Sequence, residues 1–178
     1  MPALTSSEIE QFLSEPGHLL RVGTVDEEGT PRVVPVWFLH REGEILFTPR
    51  GRSVLEQNIV RDPRVGLCID EEQAPYRKLV AGGAVRIVQA AGQEEQWADI
   101  YQAIAERYTP PAWASHYIES TMDQPRSLVA LNLPEAAVKT WRMPREGEPA
   151  SGIWARHYYV PGTPAPERLG QFPPQRPA

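Results

Sequence analysis

The sequence predicts one mostly β domain, in which consecutive antiparallel strands form a barrel that carries appended helices. The chain has 178 residues, which is enough for one ordinary domain and too few for two. Its composition of 41% hydrophobic and 23% charged residues is typical of a globular protein rather than a disordered one. Apolar and polar residues alternate over much of 18–88, whereas helical spacing is confined to shorter segments.

The predicted strands are separated by polar turns, several of which contain glycine. Seven strands are predicted, at 18–25, 31–39, 45–48, 65–70, 79–88, 127–131 and 138–143. The fifth strand contains Gly82 and Gly83, and paired glycines in a strand indicate a bulge or a sharp bend such as a barrel corner. We therefore expect a six- to seven-stranded antiparallel barrel.

Helices are predicted where apolar residues recur at spacings of three and four. Thr5 and Glu8 form a capping box before such a stripe, and Pro16 ends this first helix. Ser53 occupies the N-cap position of a second helix, which Pro63 terminates. This second helix spans 54–61, and two further helices are predicted at 94–108 and 112–120.

The last part of the chain has a different composition, with eight prolines in residues 144–178. That frequency argues against a regular core element there, so we divide the chain into a barrel domain, 1–143, and a Pro-rich tail. Four large side chains interrupt the tail: Trp154, His157, Tyr158 and Tyr159. We expect this aromatic patch to dock on the barrel or on a partner subunit.

Charge and hydropathy exclude several classes of partner. A net charge of −5 gives the chain no general attraction to nucleic acid or to an anionic membrane. No apolar run approaches the roughly 20 residues of a membrane helix, and the N-terminal residues lack the pattern of a signal peptide. Cys68 is the single cysteine, so an internal disulfide is impossible. These observations predict a cytoplasmic protein.

Several motifs of nucleotide and hydrolytic chemistry are missing from the sequence. It contains no Gly-x-Gly-x-x-Gly, no P-loop and no Gly-x-Ser-x-Gly elbow. Its four histidines are scattered without the spacing of metal ligands. We therefore expect no metal site.

The segment between the third predicted strand and the second helix is a candidate anion site. Arg50, Arg52 and Ser53 stand there, with Gly51 between the two arginines. A helix start presents free N–H groups and a partial positive charge, which suit a phosphate, and arginine adds forked donors. The alternative interpretation is that both arginines are solvated loop residues.

The second predicted strand contains Pro35, which has no backbone N–H to donate to a neighbouring strand. The strand is therefore expected to lie at an edge or to be bulged, with backbone groups free to meet a planar ligand. The alternative is an edge strand that proline protects from aggregation. Trp37 fits either a core position or a ligand contact.

The order of these segments resembles the split-barrel family that includes pyridoxamine 5′-phosphate oxidases and flavin/deazaflavin oxidoreductases. The resemblance spans residues 5–142, and it is carried by 20–26 with 29–31, 34–38, 47–48 and 58–65. The segments 75–77, 125–131 and 138–141 are similar to the branch that often binds coenzyme F420.

This resemblance implies a homodimer that holds a flavin-type cofactor, FMN or coenzyme F420, at the seam between subunits. It places the cofactor ring against the strand that ends at Trp37, and a hydroxyl, Thr48, near the phosphate or ribityl chain. It makes Arg77 a ring contact. The implied cofactor-binding residues are Val34, Pro35, Val36, Trp37, Thr48, Arg50, Arg52, Ser53, Asn58 and Arg77.

One position departs from the family pattern, because Leu55 stands where a lysine often grips the phosphate. Arg50 or Arg52 can supply the charge from another direction, and haem or a bilin stays open as an alternative ligand. The implied function is an oxidoreductase that transfers hydride to an unidentified small molecule. The alternatives are a non-catalytic flavin or tetrapyrrole carrier or sensor on the same barrel, and a structural dimer that has lost its ligand.

Overall fold

The computed structural model describes residues 1–149 and 160, and over these it forms two antiparallel sheets and four α-helices. The strands are β1 (Leu20–Val25), β2 (Pro31–Val36), β3 (Phe38–Arg41), β4 (Glu44–Phe47), β5 (Arg64–Asp70), β6 (Lys78–Ala84), β7 (Arg86–Gln89), β8 (Leu128–Asn132) and β9 (Ala137–Trp141). The helices are α1 (Ser6–Ser14), α2 (Val54–Arg61), α3 (Ala98–Glu106) and α4 (Pro111–Glu119). The mostly β class with appended helices is confirmed.

The first sheet has five strands in the order β2-β1-β5-β6-β9, and the second has four in the order β3-β4-β8-β7. Every pairing is antiparallel. The chain passes from one sheet to the other between β2 and β3 and again between β6 and β7. This arrangement of two sheets linked by bent strands is a split barrel.

Two predicted strands are each divided in the structure, so nine strands replace the expected six or seven. The divisions fall at Trp37 and Val85, which belong to no strand. Val85 directs its N–H to the carbonyl of Pro63 at 2.9 Å instead of to a sheet neighbour. Gly83 lies just before this corner, and a Cβ there would stand 3.1 Å from the Leu131 side chain. The bend predicted from paired glycines therefore lies close to a real corner, where the two sheets approach tightly.

The main core lies between the two sheets and under α1 and α2. Alternation along the strands places one face inward, as in β1, where Leu20 and Val22 are buried. The second sheet is covered on both faces, because Ile45 and Phe47 join the main core while Leu46 packs with a second cluster. That second cluster also contains Trp97, Tyr101, Leu128 and Ala130, and it seats the α3–α4 pair on the sheet.

Helix α1 is held at both ends. The capping box predicted at Thr5 is present, with the Thr5 hydroxyl accepting from the Glu8 N–H. At the other end, Arg107 donates to the carbonyls of Leu13, Ser14 and Glu15 at 2.8 to 3.1 Å. A guanidinium is a favourable partner for these carbonyls, since the last turn of a helix carries partial negative charge.

The beginning of the Pro-rich tail packs near α1. Arg142 pairs with Glu148 at 2.7 Å and with Glu8 at 3.4 Å, and Arg145 pairs with Glu8 at 2.8 Å. The aromatic patch at Trp154, His157, Tyr158 and Tyr159 lies outside the described residues. No helix in the described part of the chain combines the length and the apolar character needed to cross a membrane.

Candidate functional site

A cleft of about 520 Å³ opens between the end of β2, the start of α2 and the α3–α4 pair. This volume is in the range of small-molecule sites, which are usually concave and largely apolar. Most of the predicted site residues meet in this cleft. Those that line it are Val34, Pro35, Val36, Trp37, Thr48, Arg50 and Ser53.

One end of the cleft presents positive groups. Arg50 lines it, and so does Ser53, which is the N-cap of α2 as predicted and accepts a hydrogen bond from the Glu56 N–H. Val54 and Leu55 follow, and the first turn of a helix leaves such N–H groups without an intrahelical acceptor. Cation, hydroxyl and helix start together favour an anionic group on a ligand.

The loop that carries these groups is held rigidly. The Gly51 N–H donates to the Pro125 carbonyl at 2.7 Å, and a Cβ at Gly51 would lie only 3.0 Å from the Ala91 side chain. Arg52 has a positive φ of 65°. Its N–H donates to Glu56 Oε2 at 2.5 Å, while Glu56 Oε1 accepts from the Ser127 hydroxyl. The loop is therefore preorganised, and only its first arginine faces the cleft.

The opposite wall of the cleft is aromatic. The rings of Trp37 and Tyr108 stack with centroids 5.0 Å apart and planes within 4°, and Tyr117 lies against Trp37 at 5.2 Å. The Tyr108 hydroxyl donates to the His18 carbonyl at 2.7 Å and accepts from the Phe38 N–H at 3.2 Å. Burial raises the pKa of Tyr108, so this hydroxyl stays protonated and keeps donating. The Trp37 indole is therefore fixed in place at the wall of the cleft.

Arg52, Asn58 and Arg77 do not line the cleft. Asn58 is buried, where it donates to the Thr24 hydroxyl at 3.0 Å and accepts from Arg61 at 3.2 Å. It thereby ties α2 to β1.

Arg77 lies at the C-terminal end of α1 and pairs with Glu15 and Glu71, both at 2.6 Å, above the Phe12 ring. Hydrogen bonds from Arg77 lower the pKa of Glu15. Glu15, His18 and Glu71 have ligand-type atoms within 4.8 Å of one another. Arg77 already supplies a positive charge to this group, so we read it as an ion-pair network rather than as a metal centre.

Three polar residues of the cleft were not predicted as site residues, namely Tyr101, Tyr117 and Arg126. The apolar spacing of the 94–108 helix does place Tyr101 on its buried face, but it does not show that this face also reaches a cleft. For Tyr117, on α4, no local pattern indicates which face meets the barrel. Arg126 lies two residues before β8, in which Leu128 to Leu131 are all buried. The proximity of this apolar strand is the one local feature that sets Arg126 apart from the other arginines of the chain.

The described architecture is that of a split barrel with a cleft that joins an apolar, partly aromatic wall to a cationic end. The family model described as pyridoxamine 5′-phosphate oxidase matches residues 5–141. The chain therefore belongs to the pyridoxamine 5′-phosphate oxidase family. No curated protein sequence matches the chain.

Solved structures with the same fold come from proteins of several kinds. A conserved hypothetical protein of Mycobacterium tuberculosis is 22% identical, with a TM-score of 0.63 over 78% of this chain and 85% of that one. A protein described as an F420 reductase is 24% identical, with a TM-score of 0.53 over 68% and 90%. The haem storage protein HutZ of Vibrio cholerae is 20% identical, with a TM-score of 0.57 over 75% and 94%. At these identities the likeness concerns the fold alone.

Proposed function

We propose that the protein binds a flavin-type cofactor, FMN or coenzyme F420, in this cleft and acts as an oxidoreductase on a small molecule. One observation carries the proposal: a single cleft joins a planar wall, Val34 to Trp37, to the cationic end formed by Arg50, Ser53 and the start of α2. A flavin nucleotide has the same two parts, an apolar ring system and a phosphate. Membership of the family and the F420 reductase with the same fold support the assignment.

The residues of the cleft fit this group in chemistry as well as in size. Val34, Pro35 and Val36 offer an apolar strand surface to one face of the ring, and Trp37 is held flat by its stack on Tyr108. Thr48 and Ser53 supply hydroxyls, and Arg50 supplies forked donors for phosphate oxygens. When bound, the cofactor supplies hydride transfer, while the protein orients the ring and excludes water from it.

Leu55, which stands where the family often has a lysine, affects the end of the cleft proposed to hold the phosphate. Leu55 is 5% exposed and packs into the main core, so its side chain brings no charge. The remaining cations must therefore carry the phosphate contact, which makes the affinity sensitive to each of them.

A titration of purified protein tests the cofactor. FMN, coenzyme F420 and haemin are each added to the ligand-free protein, with ligand absorbance and tryptophan fluorescence as readouts. We expect saturable binding of FMN or F420 at about one per subunit. Trp37 lines the cleft, so its fluorescence should change when a ligand binds there. Turnover of the loaded protein with reduced F420 or NAD(P)H and a panel of acceptors then tests for an enzyme. Binding of haemin alone contradicts the proposal.

Two arginine variants test the phosphate end. Arg50→Gln should weaken FMN binding about tenfold or more, because a charge-assisted hydrogen bond contributes about 1.5–3 kcal/mol. Riboflavin has the same ring without the phosphate, and its affinity should not change. Arg52→Gln is the matched control, since Arg52 lies in the same loop but outside the cleft. If both variants bind FMN as tightly as the wild type does, Arg50 is not part of the phosphate site.

A non-catalytic tetrapyrrole carrier is the second candidate. It is favoured by the neutral Leu55 at the phosphate end and by the fold shared with a haem storage protein. The haemin arm of the titration separates the two candidates. A haemin complex that shows a Soret band and no turnover supports the carrier.

We further propose that the protein works as a cytoplasmic homodimer in which the partner subunit closes the cleft. Two features support this assembly. The cleft opens at the surface beside β2, an edge strand of the first sheet. The outer face of that sheet exposes Val25, Val33 and Val80.

A further inference from the structure

Arg126 is a buried cation whose charge is not neutralised by any carboxylate among the described ion pairs. It is only 6% exposed, yet it lines the cleft. Its Nη2 donates to the Tyr117 hydroxyl at 2.8 Å, and its Nε is buried without a hydrogen-bond partner. The guanidinium carbon lies 5.4 Å from the Tyr101 ring and 5.8 Å from the Tyr117 ring.

Burial of an arginine without a carboxylate is costly, because the guanidinium loses its water and gains no counter-charge. Two aromatic faces offset part of this cost, and one phenol satisfies one donor. The nearby carboxylate of Glu94 does not complete the pairing, since Glu94 Oε1 accepts from the backbone N–H groups of Arg126 and Gly92 instead. The geometry therefore leaves a positive charge and free donors at the wall of the cleft.

The position of Arg126 is set by the same backbone that holds the Arg50 loop. Arg50 and Arg126 form an antiparallel bridge, and the Ser127 N–H donates to the Pro49 carbonyl at 3.1 Å. Two arginines thus stand on neighbouring backbones and line one cleft. Like charges at such close quarters repel, so the arrangement is most stable when an anion lies between or beside them.

We infer that Arg126 is an oxyanion-binding residue of the cleft, which takes a phosphate or carboxylate group of the molecule bound there. The inference rests on the proposed function in that it concerns the same cleft. It adds a second arginine, which comes from the segment between α4 and β8 and stands beside the Arg50 loop. The oxyanion has two sources, the phosphate of the cofactor or an acidic group of the substrate, and the experiment distinguishes them.

The first test is stability without ligand. Arg126→Gln removes an uncompensated buried charge, so the thermal midpoint of the ligand-free protein should stay level or rise, whereas removal of a merely structural arginine should lower it. Arg142→Gln is the matched control. Arg142 is equally buried, but it pairs with Glu8 and Glu148, so its loss should lower the midpoint.

The second test is anion binding by Trp fluorescence. Inorganic phosphate is titrated into ligand-free wild type, Arg126→Gln and Arg126→Lys, which keeps the charge. We expect the Gln variant to lose affinity tenfold or more and the Lys variant to retain part of it. This arm needs no flavin, so it decides the role of Arg126 even where the wild type binds neither FMN nor F420 and the proposed function fails.

The third test identifies the source of the oxyanion. If Arg126→Gln weakens FMN tenfold and leaves riboflavin unchanged, the residue holds the cofactor phosphate. If both flavins bind normally but benzoate no longer perturbs the flavin spectrum of the loaded protein, the residue holds an acidic substrate. Wild-type affinity of the Gln variant for phosphate, FMN and benzoate overturns the inference, and so does a wild-type protein that binds none of them.

Discussion

Tyr108 shows how one side chain sets the shape of the cleft. Its ring stacks on Trp37, and its hydroxyl joins the carbonyl of His18, before β1, to the N–H of Phe38, in β3. The neighbouring Arg107 lies over the Phe38 ring at 4.7 Å. Two successive residues after α3 therefore fasten the helical pair to the barrel at the corner between β2 and β3.

Removal of the Tyr108 hydroxyl tests this anchor. Tyr108→Phe keeps the stack but leaves a buried N–H and a carbonyl without partners, which should lower the free energy of unfolding by about 1–3 kcal/mol. Urea denaturation followed by far-UV circular dichroism measures the change. Tyr76→Phe is the control, since Tyr76 is half exposed and should shift stability by less than about 0.5 kcal/mol. Equal stability of the two variants contradicts the assignment.

At the scale of single residues, the sequence predicts the role of a side chain when its hydrogen-bond partner is close along the chain. The capping roles of Thr5 and Ser53 are confirmed, because an N-cap and its N–H partner lie within three residues. By contrast, Arg77 pairs with Glu15 and Tyr108 donates to the His18 carbonyl across 62 and 90 residues, and nothing local to these residues specifies such partners. The phosphate-binding role of Arg50 stays a prediction.

Arg77 works at the scale of elements, where it joins the C-terminus of α1 to the loop between β5 and β6. It donates to Glu15 with two nitrogens and to Glu71 with two, and its own N–H bonds to Glu71 Oε1 at 2.8 Å. These bonds lower the pKa of Glu15 from its usual 4.5. A depressed carboxyl pKa means that the folded protein holds the charged form more strongly than the unfolded chain does.

The stabilisation from Glu15 should therefore be fully present above pH 4.5 and be lost as the pH falls through the lower pKa of the folded state. Arg77→Gln should reduce stability at neutral pH by roughly 1–3 kcal/mol, between the values for exposed and buried pairs. It should also flatten the decline below pH 4.5. Thermal melts from pH 3 to 7 measure both effects.

Arg64→Gln is the matched control for this pH experiment. Arg64 pairs with Asp62 at 2.6 Å, but its side chain is 82% exposed, so its loss should barely change stability. If the thermal midpoint of Arg77→Gln falls below pH 4.5 as steeply as that of the wild type, the role given to this network is contradicted.

The elements themselves were largely predictable, except for the strand divisions. Polar turns, proline and glycine mark strand ends within a few residues, and all seven predicted strands and all four helices correspond to elements of the structure. The division at Val85 lies beside the bend that Gly82 and Gly83 predict, and there the Val85 N–H bonds to the Pro63 carbonyl. The division at Trp37 is different, because apolar character continues through it and the Phe38 N–H bonds to the distant Tyr108 hydroxyl.

At the scale of the whole molecule, the outer face of the first sheet is the surface that we propose for contact with a second copy. A row of glycines crosses its three central strands in register: Gly23 pairs with Gly66, which pairs with Gly82. Val33, on β2, continues the row of glycines and is 68% exposed. Val80 lies on β6, two residues from Gly82 and on the same face of the sheet. Glycines in register leave room for close approach of another protein surface, and the exposed valines offer that surface apolar contacts.

The expected assembly is a dimer with twice the chain mass of 20.0 kDa by light scattering. Val33→Glu combined with Val80→Glu should yield the single-chain mass with an unchanged circular dichroism spectrum, because two buried charges oppose association. Val60→Glu is the control, since Val60 is about as exposed as Val33 but lies on α2. A wild-type protein with the single-chain mass contradicts the homodimer.

The two ends of the described chain meet, and this has a consequence for how the molecule is made. The Leu4 N–H bonds to the Thr140 hydroxyl at 3.0 Å, and the final turn of α1 takes its donors from Arg107. Helix α1 therefore leaves the ribosome long before its partners, and the first sheet gains its edge strand β9 only after the other eight strands have been made. Chains dominated by such distant pairings fold slowly, in about milliseconds to seconds. The contacts that fix both ends of the described chain can therefore form only after the segments between them have been synthesised.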